Sequence, residues 1–393
     1  MPGAHIVVCA GETSGDNLAA GMIRATYALR PDLTFTGMGG EQMRAAGVET
    51  LIDVSELAVM GLWEVIIQYP RLRGLLRRMQ RHLEVTRPDL LVLVDYVEFN
   101  LRLGAHARSL GIPVLFYVSP QVWAWRQKRI HRIKRSVDAM AVLFPFEQAI
   151  YEEHGIPVRY VGNPLVDQVV AGNHDLRAEL GLAPGQRLIG LLPGSRSGEI
   201  RRHWPVLVET ARRLQAQRQD LHFVVPMASG VTEQMLDAAA PRDGLPVTLL
   251  AGSGRAREVM AGSDLLLISS GTATLEAGLL QAPMIVIYRM APLSYALFSR
   301  LVRVPYIALV NIVAGKRLVP ERLQGAANPQ ALCAEVLNWL DHPEELDRIR
   351  ESLGQVRERL GPGGADQRIA VAVLEMLDSG RLAEPGAATP RGE

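Results

Sequence analysis

The chain is poor in the features that usually place a protein quickly. Its 393 residues include two cysteines, Cys9 and Cys333, so there is neither a disulfide framework nor a thiolate metal cluster. That usage fits a reduced, cytoplasmic compartment. No apolar run approaches the ~20 residues needed to span a bilayer. The start, Met1 to His5, lacks a basic stretch ahead of its short apolar segment, so no export signal is expected. Any work on lipid would then be done from the surface. The formal net charge is only +1, which argues against a dedicated nucleic-acid partner. No Asp-x-Asp pair occurs, nor a His/Cys cluster at ligand spacing, so neither a metal nor a cofactor is expected. No internal repeat of the solenoid kind is visible.

Short apolar, β-branched runs alternating with helical patterns are abundant. Strands are expected at Ile6 to Ala10, Leu33 to Gly37, Leu90 to Val94, Val114 to Val118, Ala139 to Phe144 and Arg159 to Val161. The pattern restarts at Leu188 to Leu192, Leu221 to Val225, Val247 to Leu250, Leu265 to Ser269 and Met284 to Tyr288. Continuous apolar strands separated by helices predict buried parallel sheets. Two such series in tandem predict an α/β protein of two Rossmann-like, doubly wound domains. The expected bounds are 1–170 and 175–345, joined by a linker at Val170 to Asp175. Helices follow over 346–379 that could pack back on the first domain. A tail at 380–393, rich in Pro, Gly and Ala, is expected to be disordered.

The turns after these strands carry the candidate chemistry. Leu188 to Leu192 runs into Pro193-Gly194-Ser195-Arg196-Ser197-Gly198-Glu199. Gly194 lets backbone N–H groups approach an anion, Ser195 lies at a helix start, and Arg196 offers a bidentate grip on phosphate. An ordinary capped helix start would look the same. It is not a Walker A loop, because Gly-Lys-Ser/Thr is missing. Leu265 to Ser269 ends in Ser270-Gly271-Thr272-Ala273-Thr274-Leu275-Glu276, a second anion-friendly turn. Glu276, about one turn into the following helix, could accept ribose hydroxyls or could be a surface acid. Two such turns in one Rossmann-like half favour a nucleotide diphosphate.

The first half differs. Ala10-Gly11-Glu12-Thr13-Ser14-Gly15-Asp16 follows strand one, but its acids would repel a pyrophosphate, which disfavours a dinucleotide dehydrogenase. Acids there suit sugar hydroxyls or general-base work, with plain capping by Ser14 or Asp16 as the alternative. Asp95 ends the strand Leu90 to Val94, where doubly wound sheets place their sites. It could equally cap a loop. The segment Leu62 to Leu83 combines Trp63, Ile66, Ile67, Leu72, Leu75 and Leu76 with Arg71, Arg73, Arg77, Arg78 and Arg81. It fits either an amphipathic helix on an anionic membrane or a sheet-packed helix with a solvated basic face. Ser119-Pro120-Gln121-Val122-Trp123-Ala124-Trp125-Arg126 places two tryptophans beside a basic run.

Together these stretches resemble the lipid-A-disaccharide synthase family. The resemblance rests on Ala10 to Asp16, Glu56-Leu57-Ala58-Val59-Met60-Gly61, Tyr117 to Arg126, Leu192 to Arg196, Ser270 to Glu276 and Asn311-Ile312-Val313-Ala314-Gly315. They run in the family's order over most of residues 6 to 320, and the Ser-Pro-x-Val-Trp-Ala-Trp stretch is the most specific. The resemblance implies a GT-B glycosyltransferase whose two domains face across a cleft. Its reaction would join UDP-2,3-diacylglucosamine to 2,3-diacylglucosamine 1-phosphate, releasing UDP, at the cytoplasmic face of the inner membrane. A homodimer is carried as a further partner expectation. Carried over residue by residue, Asp95 is the first candidate for general base, with Glu12 the runner-up or a sugar-orienting group. Ser14 and Gly15 would line the same turn. Arg196 and the turn Ser270, Gly271 and Thr272 would hold the diphosphate, Glu276 the ribose, and Asn311 would lie near the nucleotide, with Ser14, Gly15, Gly194, Ser195 and Glu199 as further substrate-binding candidates. Two positions depart from the pattern. Tyr96-Val97-Glu98-Phe99-Asn100 keeps an acid and the family's Phe-Asn pair but lacks its proline, and Val310 stands where the family has Pro. Another GT-B transferase or epimerase, or a non-catalytic nucleotide-sugar-binding regulator, would share the second-half turns.

Overall fold

A computed structural model describes residues 3–54, 62–123, 127–169, 174–228, 230–252, 254–291, 295 and 304–383. The segment Glu56 to Gly61, the residues Ala124-Trp125-Arg126, most of the expected linker and positions 384–393 lie outside this set. The chain forms two compact units, one of residues up to Pro164 together with Gly363 onward, the other Leu165–Pro362.

The first unit holds seven parallel strands: β1 (His5–Ala10), β2 (Thr34–Gly39), β3 (Glu49–Asp53), β4 (Leu90–Val94), β5 (Val114–Tyr117), β6 (Ala139–Val142) and β7 (Val158–Tyr160). They lie in the order β3-β2-β1-β4-β5-β6-β7. The central strands are apolar throughout because helices cover both faces; every residue of β4, β5 and β6 is buried. One core layer joins Ile6, Val8, Leu90 and Val92 to Ile369, Val373 and Met376 of helix Ala365–Ser379. That helix also packs along helix Thr13–Leu29. The other layer joins Val7, Leu91 and Phe116 to Leu75, Met79 and Leu83 of helix Leu62–Thr86.

The second unit holds six parallel strands: β8 (Arg187–Leu192), β9 (Leu221–Met227), β10 (Val247–Ala251), β11 (Leu265–Ser269), β12 (Met284–Tyr288) and β13 (Glu321–Leu323). Their order is β10-β9-β8-β11-β12-β13. Helix Pro343–Leu360 belongs to this unit and packs on helices Thr272–Leu279 and Leu309–Ala314. The segment expected over 346–379 is therefore shared between the units, and the first boundary falls at Pro164/Leu165. Arg381 to Ala383 follow the last helix closely, with the Ala383 carbonyl accepting from Arg159 at 2.9 Å.

In each sheet the strand order reverses once, between β1 and β4 and between β8 and β11. Doubly wound sheets place ligands beyond the carboxyl ends of such strand pairs. The register brings these ends level: Ala10 pairs with Val94, and Ile268 with Leu192. β3 and β13 were not foreseen. Both are short edge strands carrying charged residues, as sheet edges commonly are, and neither shows an apolar run.

Candidate active site

In the first unit, the chain leaves β1 into Gly11-Glu12 and leaves β4 into Asp95-Tyr96. Gly11 must be glycine, because a Cβ there would fall 2.3 Å from the Tyr96 ring. Asp95 and Tyr96 both take left-handed backbone, with φ of 49° and 42°. Asp tolerates that conformation, whereas a non-Gly aromatic in it is a local strain that its surroundings must hold. Helix Val97–Ser109 starts directly afterwards, with Val97 at its first position where the family has proline.

Asn100, one turn into that helix and fully buried, is the clamp. Its Nδ2 donates to the carbonyls of Cys9 (3.2 Å), Val94 (3.2 Å) and Asp95 (2.8 Å), and its Oδ1 accepts from Cys9 Sγ at 2.9 Å. One side chain thus ties the ends of β1 and β4 together beneath Asp95. Burial, followed by the nearby Glu12 charge, pushes the Asp95 carboxyl up to about 6, against a weaker opposing pull from the Tyr96 amide. Glu12 itself is exposed at the start of helix Thr13–Leu29, beside exposed Ser14, while Gly15 is buried against Ala10 and the Val94 carbonyl. Asp16 is buried and faces away from this pair of strand ends: it accepts from the amides of Gly40 (2.7 Å), Gln42 (3.0 Å) and Met43 (3.1 Å).

The next strand end, β5, is built on a second buried acid. Val118 adopts φ 73°, an unusual value for a β-branched residue, and leads into Ser119. Ser119 bonds the Tyr151 hydroxyl at 2.7 Å. Glu147 accepts from Trp123 Nε1 at 3.2 Å and from the Phe144 amide at 3.2 Å. Burial raises the Glu147 carboxyl to about 7, with hydrogen bonds from Phe144, Ser119 and Trp123 opposing. Glu98, on the helix that follows Asp95, is turned outward and pairs with Arg129 and Arg132 at 2.7 Å each.

In the second unit, the turn after β8 holds an anion of its own. Gly194 has φ 113°. The Glu199 carboxylate accepts from the amides of Ser195 (3.1 Å) and Arg196 (3.3 Å), and from Arg196 Nη1 at 3.3 Å. Helix Ser197–Gln217 begins here, so amide donors and helix dipole converge on that carboxylate. The Arg196 side chain is 78% exposed and free to reorient. Buried His203 braces the turn: its Nδ1 lies 2.8 Å from the Pro193 carbonyl, and its Nε2 accepts the Arg289 amide at 3.0 Å. Those partners select the neutral Nδ1–H tautomer. Burial lowers its pKa, with the bond to Pro193 and the nearby Glu199 charge opposing.

The turn after β11 is tied to a neighbouring segment. Ser270 Oγ donates to the Ile307 carbonyl at 2.9 Å. The amides of Ile307 and Ala308 donate to Glu321, each at 3.0 Å. Asn311 is fully buried: its Nδ2 donates to the Val319 carbonyl (2.9 Å) and Glu321 (2.8 Å), and its Oδ1 accepts from the amides of Leu318 (2.8 Å) and Val319 (3.1 Å). The Asn311 side chain thus braces this segment with its hydrogen-bonding capacity fully committed. Val310, at the second departure from the family pattern, is buried against Gly278. Thr272 opens helix Thr272–Leu279 after Gly271, and Glu276 within it pairs with Arg257 at 3.2 Å.

The sequence candidates therefore gather into two groups, one at each switch point: Glu12, Ser14, Gly15 and Asp95 in the first unit, and the 193–199 and 270–276 turns in the second. Asn100, Glu147, His203 and Glu321 were not singled out as site residues. Only Asn100 left a signal, in the Phe99-Asn100 pair kept after Asp95. On helix Leu62–Thr86, Leu75, Met79 and Leu83 are core residues, whereas Arg71, Arg73, Arg77, Arg78 and Arg81 are exposed. The side chains of Trp63, Ile66 and Ile67 lie outside the described set. Among the described residues no helix is long and apolar enough to cross a membrane.

Known proteins agree with this arrangement. Among solved structures, MurG of Acinetobacter baumannii is similar over 95% of this chain and 100% of its own, at 13% identity and a TM-score of 0.57. A UDP-GlcNAc 2-epimerase from Neisseria meningitidis, bound to UDP-GlcNAc, covers 95% and 99% at 13% identity and a TM-score of 0.62. At such identities the likeness is one of fold, the GT-B arrangement of two parallel-sheet α/β domains. Sequence relatives are far nearer. Lipid-A-disaccharide synthase of Geobacter sulfurreducens is 44% identical over 375 residues, 95% of this chain and 97% of the relative. That of Myxococcus xanthus is 43% identical over 380 residues, 96% and 99%. With the family profile described as lipid-A-disaccharide synthetase matching residues 6–361, and relatives aligned almost end to end, the chain belongs to the lipid-A-disaccharide synthase family.

Proposed function

We propose that the protein transfers 2,3-diacylglucosamine from its UDP carrier to the 6-hydroxyl of 2,3-diacylglucosamine 1-phosphate, giving the β-1′,6-linked disaccharide 1-phosphate and UDP. The observation that carries the mechanism is Asp95, a half-buried carboxyl at a switch point, raised to about 6, whose backbone carbonyl is held by Asn100 at 2.8 Å. At neutral pH such a group is mostly ionised yet basic enough to accept a proton, the balance a general base needs.

In this reading the Asp95 carboxylate takes the proton as the acceptor oxygen attacks the anomeric carbon. The new C–O bond forms as the bond to UDP breaks on the opposite face, with inversion. Glu12 orients the sugar and keeps the Asp95 proton affinity high. The leaving diphosphate carries the developing charge, which Arg196 and the amides of Ser195 and Arg196 are suited to stabilise. Those amides bind the Glu199 carboxylate in the present structure, so Glu199 acts as an internal stand-in that the diphosphate displaces. Ser270, Gly271 and Thr272 complete the diphosphate site, and Glu276 accepts the ribose hydroxyls. Asn311 acts indirectly, by bracing the Ile307–Ala308 segment beside Ser270. Protein cations rather than a metal carry the leaving group's charge, so a chelator should leave the rate unchanged.

The first unit is assigned the acceptor and the second the UDP-sugar. The exposed arginines of helix Leu62–Thr86 suit the anionic cytoplasmic surface of the inner membrane, each contributing about 1 kcal/mol. Replacing Arg71, Arg77 and Arg78 together should reduce binding to anionic vesicles, and unchanged binding would remove that element. The central test supplies purified protein with both substrates and measures UDP and disaccharide. No disaccharide under detergent-supported conditions would sink the reading. Asp95→Ala should keep UDP binding and lose turnover by about 10²–10⁴-fold.

A further inference from the structure

Glu147 is the third residue of helix Pro145–Glu153, and one of its oxygens accepts the Phe144 amide at 3.2 Å. That much is ordinary helix capping, which an acid performs equally well at the surface. Here the residue is only 2% exposed, and no Arg or Lys pairs with it among the described residues. Taking a carboxyl out of water without a counter-ion is costly. Its other oxygen reaches off the helix and accepts Trp123 Nε1 at 3.2 Å, from the segment that follows β5. The indole is thereby held in one orientation. Its ring also meets Phe146 edge to face, with centroids 5.4 Å apart at 89°, and Phe146 is stacked in turn on Phe144. Ser119, at the start of the same segment, is tied to Tyr151, one turn beyond Glu147. A single helix therefore holds both ends of segment 119–123.

That segment adjoins the candidate base within the same unit. β4 lies between β1 and β5. Asn100 ties the end of β4 to β1, while the Asp95 amide donates to the Tyr117 carbonyl of β5 at 3.1 Å. The Val118 amide donates onward to the Ala141 carbonyl at 3.0 Å. Val122 is buried in the core layer that contains Phe99, and Tyr96 packs on that layer. Asp95 and Tyr96 both have left-handed backbone, which persists only where the surroundings hold it. We propose that Glu147 is a positioning residue for the transfer: by fixing Trp123 and the segment behind β5, it keeps Asp95 aimed at the acceptor hydroxyl. That Asp95 is the group aimed rests on the transferase reading above; the coupling from Glu147 to the end of β4 does not.

The test uses the full-length protein with Glu147→Gln, Trp123→Phe and the double variant, assayed at pH ~8, where the Glu147 carboxylate prevails. Gln keeps the shape of the acid but offers one acceptor oxygen to two N–H donors. Phe keeps a ring against Phe146 and has no N–H. Each single variant should lower kcat per folded molecule roughly tenfold, with KM for both substrates and UDP affinity within about twofold of wild type. The double variant should be no slower than either single one, because both break the same bond. Hydrogen exchange read by mass spectrometry gives a measure independent of turnover. In both variants, exchange should be about threefold or more faster in peptides covering 93–100 and 117–123, with peptides of the second unit unchanged. Unchanged kcat per folded molecule in both variants, whatever the change in melting temperature, leaves Glu147 a capping residue and overturns the proposal. So do additive losses in the double variant. A rise in acceptor KM at unchanged kcat also overturns it, since that would seat substrate on Trp123 itself. Faster exchange confined to helix Pro145–Glu153 overturns the coupling. If the wild type makes no disaccharide while both variants loosen 93–100, the transferase reading falls, and with it the aim of Asp95, whereas the coupling to the end of β4 stands.

Discussion

In an Asp95→Asn protein the side chain keeps its shape but can no longer ionise. Asn is also at ease in left-handed backbone, so the φ of 49° at this position is not disturbed. The folded carboxyl titrates at about 6, against an ordinary value of 3.8. An acid with a raised native pKa holds its proton more tightly folded than unfolded. Its contribution to stability is therefore fully present below pH 3.8 and is lost as pH rises through about 6. The whole shift corresponds to about 3 kcal/mol. Between pH ~5 and pH ~8 the part still to be lost is about 1.4 kcal/mol. The Asn variant escapes that loss. Its stability relative to wild type should grow by about this amount over the same interval, while transfer falls by about 10²–10⁴-fold. Urea unfolding of both proteins across this pH range measures the gap directly. A gap that does not change with pH, or one that shrinks as pH rises, would refute the argument that burial and Glu12 set the carboxyl's proton affinity.

Three further outcomes follow from the same contacts. Arg196→Gln removes an exposed guanidinium without touching the core, so UDP affinity should fall roughly tenfold with the melting temperature unchanged; titration with UDP checks the first and thermal unfolding the second. Asn311→Ala leaves the Val319 carbonyl and the Leu318 and Val319 amides without partners, and should cost about 2–4 kcal/mol in urea unfolding, with weaker UDP binding as the Ile307–Ala308 segment loosens. Glu147→Gln resembles the protonated acid, so it should match wild type at pH ~6 more closely than at pH ~8. Because the native carboxyl is raised to about 7, wild type loses stability as pH climbs from 4.5 through that value, and between pH ~6 and pH ~8 the variant should gain about 1.4 kcal/mol relative to it.

The sequence carried the sheets well where strands were apolar on both faces. β1, β4, β8 and β11 appear as unbroken aliphatic runs, and the glycine- or acid-bearing turns after them mark both switch points. β3 and β13 were not legible, because an edge strand needs neither a continuous apolar run nor clean alternation. The exposed chemistry was more visible than its support. Glu12, Asp95 and Arg196 stand beside recognisable turns, whereas Asn100, His203 and Glu321 act on backbone groups from other elements. Nothing in the order of residues says that the Cys9 and Val94 carbonyls will converge on one amide. Asn311 shows the reverse case: the motif pointed to the residue, but its buried partners are all protein groups. The amphipathic pattern from Leu62 to Leu83 was similarly two-sided, since core packing and membrane binding call for the same periodicity.

Helix Ala365–Ser379 sets the order in which the protein can be completed. Its Ile369, Val373 and Met376 cover the same core layer as Ile6 and Val8. The ribosome therefore makes the first sheet before the whole of Leu165–Pro362 and its cover only after it. A nascent chain carries an open aliphatic face throughout that interval. A premature stop anywhere before this helix removes part of the N-terminal unit's interior rather than trimming its far end. Dividing the protein at Pro164 would likewise yield two pieces of which the first lacks its own lid. An independently folding first unit would have to carry the last helix spliced directly behind it.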